Sequence, residues 1–169
     1  MLASKKTTQY VFYAYLLLLT WGILFKFETN PGSIVFFLAP RYINWIPFSE
    51  PLIVNGKIVM AEMLFNLVSF IPLGVCLPLV KSPWSRWKIA GAGLLLSLVY
   101  ECLQYILAIG ATDMTDLILN TLGVCVGLLI YPLFKKVLKS QTRKWVNIIG
   151  MIVLGLAYLI LLLLIVIGV

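Results

Sequence analysis

The chain has 169 residues, of which 62% are hydrophobic and 11% are charged, and its formal net charge is +7. Soluble domains are about half apolar and about a quarter charged, so this composition excludes a soluble globular protein and leaves no room for a soluble catalytic domain of ordinary size. Because the sequence contains no histidine, it also excludes imidazole acid–base catalysis, Ser-His triads and histidine metal ligands.

Five apolar runs follow one another along the chain, at residues 10–27, 58–80, 89–109, 115–134 and 146–167. Each run is long enough to cross a bilayer as a helix, which takes about 20 apolar residues. The sequence therefore predicts an all-α, polytopic integral membrane protein whose single domain, residues 1–169, is a bundle of about five transmembrane helices. No small-residue cleavage site follows the first run, which favours a retained helix over a signal peptide.

The distribution of lysine and arginine predicts the orientation of this bundle, because cytoplasmic connections carry an excess of both. The connection at residues 28–57 and its ends carry only Lys26, Arg41 and Lys57. The N-terminus and the second and fourth connections carry the other ten, namely Lys5, Lys6, Lys81, Arg86, Lys88, Lys135, Lys136, Lys139, Arg143 and Lys144. We therefore expect the N-terminus inside, the C-terminus outside and an extracytoplasmic loop at 28–57. The basic excess is then explained by orientation and by anionic membrane lipids, and no nucleic-acid partner is predicted.

The middle three runs carry polar and small residues at steps that are mostly three or four, whereas the first and last runs are almost wholly apolar. Such steps keep side chains on one face of a helix. Because polar groups avoid lipid, we expect these three faces to converge in the outer half of the bundle. The polar members are Glu62, Asn66 and Ser69 in the second run, Ser97, Glu101 and Gln104 in the third, and Asp116 and Asn120 in the fourth.

Glu101 is the most informative of these residues. A charged side chain at the centre of a span costs about 2.5–3.5 kcal/mol even on insertion scales, so it requires compensation or a role. Three arrangements would compensate it: protonation, hydrogen bonds from Asn66, Asn120 and Gln104, or a basic residue of the long loop, Arg41 or Lys57. Two interpretations stay open, a structural clasp that ties three helices together and a binding site that opens to the outer leaflet.

Proline and glycine in the middle runs predict how these helices pack. Pro72 removes one helical hydrogen bond and frees the carbonyl group of Val68, which predicts a kink that splays the outer half of the bundle. Gly123 and Gly127 form a GxxxG pair, which permits a neighbouring helix to approach closely.

Two aspartates stand at the start of the fourth run. Asp113 is placed to cap the helix, and Asp116 follows three residues later, on the face that carries Asn120. The spacing of the carboxylates fits no calcium-binding loop, and we predict no metal site and no cofactor. The three cysteines lie in different runs and are predicted to be packing residues.

Short polar and glycine motifs extend over most of the chain up to Lys135. They are Arg41-x-x-Asn44-x-x-Pro47-Phe48, Glu62-Met63-x-x-Asn66, Phe70-Ile71-Pro72-x-Gly74, Glu101-x-x-Gln104 and Asp113-x-x-Asp116-x-x-x-Asn120-x-x-Gly123-x-x-x-Gly127. In this order and at these spacings, the motifs resemble the VanZ-like family of bacterial membrane proteins. Many members of that family have an arginine shortly before the first aspartate, where this chain has Ala111 and Thr112, so that Arg41 is the nearest substitute.

The resemblance implies lowered susceptibility to teicoplanin and related lipoglycopeptides, without the remodelled peptidoglycan terminus that protects against vancomycin. Together with the polar pattern, it predicts an outward-facing cleft in the bacterial plasma membrane that engages a membrane lipid, a lipid-linked cell-wall precursor or the antibiotic. The predicted cleft residues are Arg41, Asn44, Glu62, Asn66, Glu101, Gln104, Asp113, Asp116 and Asn120, and Pro72, Gly74, Gly123 and Gly127 are predicted packing residues. Two alternatives stay open: a membrane-embedded enzyme that uses Glu101 and Asp116 on a lipid-linked substrate, and a structural helper subunit of an envelope complex.

Overall fold

The computed structural model describes residues 2–34, 36–37, 41–49, 53–54, 57–58, 60–110 and 112–167. It is 80% helical, which confirms the predicted all-α class. The α-helices of the described part are α1 Lys5–Phe25, α2 Met60–Val80, α3 Arg86–Leu107, α4 Met114–Leu138 and α5 Thr142–Ile167.

Several of these helices extend beyond the apolar runs that predict them. α1 begins at Lys5, where the Ser4 hydroxyl accepts a hydrogen bond from the Thr7 amide at 3.0 Å. α3 begins at Arg86, and Ser85 caps it through the Lys88 amide at 3.3 Å. A capping hydroxyl satisfies the free amides of the first turn, so helical backbone continues into polar sequence that hydropathy does not mark as helix.

Four helical stretches of the described residues are long and apolar enough to cross a membrane. The fourth of them, Met114–Ile167, has 54 residues and comprises α4, a 3-10 turn at Lys139–Gln141 and α5. A straight helix of that length would extend over about 80 Å, whereas the hydrocarbon core of a bilayer is about 30 Å thick. The direction of α5 relative to the other helices therefore decides how this stretch is arranged.

Hydrogen bonds between α1 and α2 show that these two helices are antiparallel. The Tyr15 hydroxyl donates to the Ser69 carbonyl at 2.6 Å, and the Lys26 ammonium group pairs with the Glu62 carboxylate. From the first contact to the second, the residue number thus increases on the α1 side and decreases on the α2 side. Pro72 has no amide hydrogen, so the Val68 carbonyl lacks its helical donor, and the neighbouring Ser69 carbonyl is the one that Tyr15 binds. The helix α2 nevertheless continues through Pro72.

Glycines bring α2 and α4 into direct backbone contact. A Cβ atom added to Gly123 would lie 2.1 Å from the Leu67 carbonyl oxygen, and one added to Gly127 would lie 2.2 Å from that of Ile71. Gly74 meets the α4 backbone at equally short range. From the first of these contacts to the second, the residue numbers increase on both helices, so α2 and α4 are parallel. The helix α3 connects the end of α2 to the start of α4.

Side-chain hydrogen bonds place α5 alongside α1 in the same direction. The Asn147 amide donates to the Leu2 carbonyl at 2.7 Å, and the Tyr158 hydroxyl donates to the Ala14 carbonyl at 2.8 Å. Because α1 is antiparallel to α2 and α2 is parallel to α4, α5 is antiparallel to α4. The 3-10 turn therefore reverses the chain, and the five helices alternate in direction.

Short strands connect the loop between α1 and α2 to the rest of the protein. β1 (Ile43–Asn44) pairs in parallel with β4 (Thr112–Asp113), which directly precedes α4. β2 (Ile53–Val54) and β3 (Lys57–Ile58) form an antiparallel pair. The β1–β4 pair fixes the loop to the start of α4.

We predict that Gly127→Ala destabilises the protein, because the new methyl group would overlap the Ile71 carbonyl oxygen. Overpacking of this kind costs about 1–3 kcal/mol, and it lowers the melting temperature of the detergent-solubilised protein. The matched control is Gly155→Ala in α5, where an added Cβ meets nothing within 4 Å in the described structure. Equal melting temperatures for the two variants would contradict the backbone contact.

Candidate functional site

Alternating helix directions separate acidic and basic residues to opposite ends of the bundle. The end that contains the last turns of α1 and α3 and the first turns of α2 and α4 is here named the acidic end, and the opposite one the basic end. Glu50 lies outside the described residues. The acidic end contains Glu28, Glu62, Glu101, Asp113 and Asp116, and the basic end contains the ten lysines and arginines of the N-terminus and of the second and fourth connections.

Glu101 lies near the last turns of α3 and is 2% exposed. Its carboxylate Oε2 accepts a hydrogen bond from the backbone amide of Asp113 at 2.9 Å. The backbone carbonyl of Glu101 accepts a second bond, from the Thr112 hydroxyl at 3.0 Å. These two hydrogen bonds attach the segment that begins α4 to α3.

Asp113 connects Glu101 to the helix that follows. Its Oδ1 accepts from the Thr115 amide at 2.7 Å and caps α4, the role that its position predicts. Its Oδ2 accepts from the side-chain amide of Asn44 at 3.2 Å. The Asp113 carboxylate thus caps α4 with one oxygen and binds the loop with the other.

The loop residues 44–49 cover the first turn of α4. Asn44 is buried, and its side-chain oxygen accepts from the Ile46 amide at 3.2 Å and from the Ser49 hydroxyl at 2.9 Å. The Phe48 amide donates to the Thr115 hydroxyl at 3.0 Å. These contacts hold the loop against the acidic end.

Asp116 lies in the first turn of α4 and is half-buried. Asn66 on α2, Lys26, Glu62 and Asp113 lie close enough to its carboxylate to interact with it. Glu62 and Lys26 form an exposed ion pair beside it. Glu62, Asp113 and Asp116 are therefore at least partly exposed, whereas Glu101 is buried.

Two further amides of this end of the bundle are buried. Asn120 is fully buried and donates to the Ser97 hydroxyl at 2.9 Å, and Gln104, one turn closer to the end of α3 than Glu101, donates to the Ile23 carbonyl at 3.0 Å. The side-chain oxygens of Asn120 and Gln104 are buried without a hydrogen-bond partner in the described part of the chain. An unsatisfied buried acceptor is costly, so each of these oxygens favours a group that donates hydrogen bonds.

The amides that we expected to compensate Glu101 bind other groups. Asn66 interacts with Asp116, while Asn120 and Gln104 donate hydrogen bonds to α3 and α1. The donor to Glu101 is instead the backbone amide of Asp113. Every residue except proline has such an amide, so the pattern of residue types does not indicate which one binds Glu101.

Arg41 does not reach Glu101 either. Its guanidinium group donates to the Tyr105 carbonyl at 3.3 Å and to the Ile106 carbonyl at 3.5 Å. These carbonyls belong to the last turn of α3, where a helix leaves its acceptors free and attracts cations. The side chain of Lys57, the other basic candidate, is outside the described residues.

The carboxylates of the site lie close enough to interact electrostatically. Glu101 interacts electrostatically with Asp113 and Asp116, and Asp116 also interacts with Glu62. Within the described residues, no group of three acidic or cysteine side chains is arranged to hold a metal ion. The arrangement is suited to accept hydrogen bonds from an ammonium or hydroxyl group.

The fold and the site define a helical membrane protein with a buried carboxylate and amide cluster at one end. The chain belongs to the VanZ/LLP1 family, which matches residues 12–135. It is 39% identical over 122 residues to Protein VanZ of Enterococcus faecium, an alignment that covers 72% of this chain and 71% of that protein. No solved structure matches the chain. The family match contains the whole acidic-end site and ends before α5.

We expect Asn44→Ala to release the loop from α4, because it removes the donor to Asp113 and the acceptor for two loop groups. A buried hydrogen bond to a charged group contributes about 1.5–3 kcal/mol, so amide hydrogen exchange at residues 45, 46, 48 and 49 should accelerate about tenfold or more. The control is Asn30→Ala, since the Asn30 side chain bonds Gly32 within its own turn. Unchanged exchange at 45–49 in Asn44→Ala would show that the loop is held by other contacts.

Proposed function

We propose that this protein lowers susceptibility to teicoplanin and related lipoglycopeptides by binding a ligand at its acidic end. Membership of the VanZ/LLP1 family supports the resistance function. The observation that carries the binding role is the buried Glu101 carboxylate beneath the partly exposed Asp113 and Asp116. A charge at that depth is costly, and a structural clasp needs only neutral amides.

The proposed topology has five spans in the bacterial plasma membrane, with the N-terminus inside and the C-terminus outside. The alternation of the five helices supports five crossings, since the 3-10 turn after α4 reverses the chain. All ten lysines and arginines of the basic end then face the cytoplasm, as the positive-inside rule requires. The acidic end opens at the outer leaflet, where cell-wall precursors and antibiotics are exposed.

The charge of the site defines the chemistry of its ligand. Four carboxylates, Glu62, Glu101, Asp113 and Asp116, lie at this end of the bundle, and the Lys26 ammonium group pairs with one of them, Glu62. Ionised carboxylates only accept hydrogen bonds, and they repel phosphate. The ligand is therefore a group rich in hydroxyl or amino donors, which a cell-wall precursor or the antibiotic offers, rather than the phosphate of a lipid headgroup.

The hydrogen bonds of the site leave acceptor capacity for such a ligand. A carboxylate has about four acceptor positions, and the Asp113 amide occupies one of those on Glu101. The unpartnered oxygens of Asn120 and Gln104 lie in the same part of the bundle. Because lipoglycopeptides carry an acyl anchor, a protein that acts beside the outer leaflet affects them selectively.

We expect Glu101→Gln with Asp116→Asn, and separately Asn120→Ala, to abolish teicoplanin protection in expressing cells while the protein still accumulates in the membrane. The amides keep the shape of the carboxylates but remove their charge. The measurement is the inhibitory concentration of teicoplanin, with membrane abundance determined in parallel.

Glu28→Gln is the matched control for the loss of charge. Glu28 also lies at the acidic end, but its exposed side chain bonds the Asn30 amide within the loop. It should therefore retain protection. Full protection by a well-expressed Glu101→Gln, Asp116→Asn variant would overturn the proposal, and a changed profile of lipid-linked precursors that depends on these residues would favour an enzyme.

The topology is tested with single cysteines in a chain whose Cys76, Cys102 and Cys125 are replaced by serine. Ser33→Cys should react with a membrane-impermeant maleimide in intact cells, whereas Ser140→Cys should react only after permeabilisation. Both positions are exposed, so accessibility within the protein does not differ between them. The reverse labelling pattern would contradict the proposed orientation.

A further inference from the structure

A cavity of about 280 Å³ lies at the basic end, between the end of α2, the start of α3 and the end of α4. Its floor contains Ile89 and Leu128, which are 1% and 8% exposed. Arg86 and Lys135 also line it, and both side chains are exposed. The cavity thus combines an apolar floor with a cationic rim.

The cationic groups of this rim have no carboxylate to neutralise them. The ion pair of the described residues joins Lys26 and Glu62, at the opposite end of the bundle. Each of the acidic residues that the structure places is at the acidic end, and Glu50 belongs to the loop between α1 and α2. Arg86 and Lys135 are therefore available to an external anion.

Aromatic side chains of the lining match the depth of a lipid headgroup. Trp84 and Tyr131 line the cavity, and the Lys81 ammonium group lies 5.9 Å from the centre of the Trp84 ring. Tryptophan and tyrosine concentrate at membrane–water interfaces, where one part of the ring system is apolar and the other is wet. The cavity is consequently at the level of phosphate groups rather than of acyl chains.

The volume limits what the cavity can hold. It equals about nine water molecules at about 30 Å³ each, which accommodates a phosphate and a glycerol backbone but not two acyl chains. Leu129 and Leu133 are exposed on α4 next to the lining residues, and they offer an apolar surface for the chains. Basic pockets between helices are suited to anionic lipids for these reasons.

We propose that this cavity is a binding site for one anionic phospholipid of the leaflet at the basic end. Arg86 and Lys135 bind the phosphate, and Ile89 and Leu128 contact the glycerol backbone. The site differs in charge, location and ligand class from the acidic end, so either proposal can fail without the other.

The test compares two double variants of the full chain, reconstituted in nanodiscs with equal amounts of phosphatidylglycerol and phosphatidylcholine. One is Arg86→Gln with Lys135→Gln, and the control is Lys88→Gln with Lys136→Gln, which removes the same charge from exposed residues outside the cavity lining. Native mass spectrometry counts the lipid that stays bound after extraction. We expect the first variant to lose about tenfold more phosphatidylglycerol than the control does.

A second variant separates loss of the site from loss of the fold. Arg86→Lys with Lys135→Arg keeps both charges and should retain phosphatidylglycerol, with an unchanged melting temperature. Equal lipid loss in both glutamine variants would overturn the proposal, since it would reflect diffuse surface attraction. Equal retention of phosphatidylcholine, or displacement of phosphatidylglycerol by inorganic phosphate alone, would overturn it as well.

Discussion

The backbone contact between α2 and α4 is the constraint on which the rest of the structure depends. Three glycines, Gly74, Gly123 and Gly127, leave the two helices without side chains between them. Inside a membrane the lipid is as apolar as leucine, so helix association relies on close packing rather than on hydrophobic burial. Because the two helices are parallel, their N-terminal parts lie side by side, and Asn66 of α2 is close to Asp116 of α4.

That placement explains how so apolar a chain accommodates a buried carboxylate. Glu101 uses no basic partner; its hydrogen-bond donor is the amide of Asp113, whose own side chain caps α4 and bonds Asn44. The same short segment therefore stabilises a charge, begins a helix and holds the loop. A backbone donor adds no second charge to the membrane interior, so it avoids the desolvation of a buried ion pair.

The helices and their polar faces could be predicted from the sequence because both depend on local spacing. The cap at Asp113 was predictable for the same reason, since it depends on residues within one turn. The partners of Glu101 and Arg41 were not predictable, because they involve backbone groups that no residue type marks. The contact of Asn44 with Asp113 spans 69 positions, a separation over which spacing carries no information.

The first four helices and their connections contain the acidic-end carboxylates together with the lining of the basic-end cavity. The acidic-end residues and the lining of the basic cavity all lie within residues 12–135, the part that matches the VanZ/LLP1 family. α5 lies outside that match, and its hydrogen bonds from Asn147 and Tyr158 attach it to the N-terminal segment and to α1. Most of its side chains are exposed. Both proposed sites therefore belong to α1–α4 and their connections, and α5 adds an apolar helix against α1.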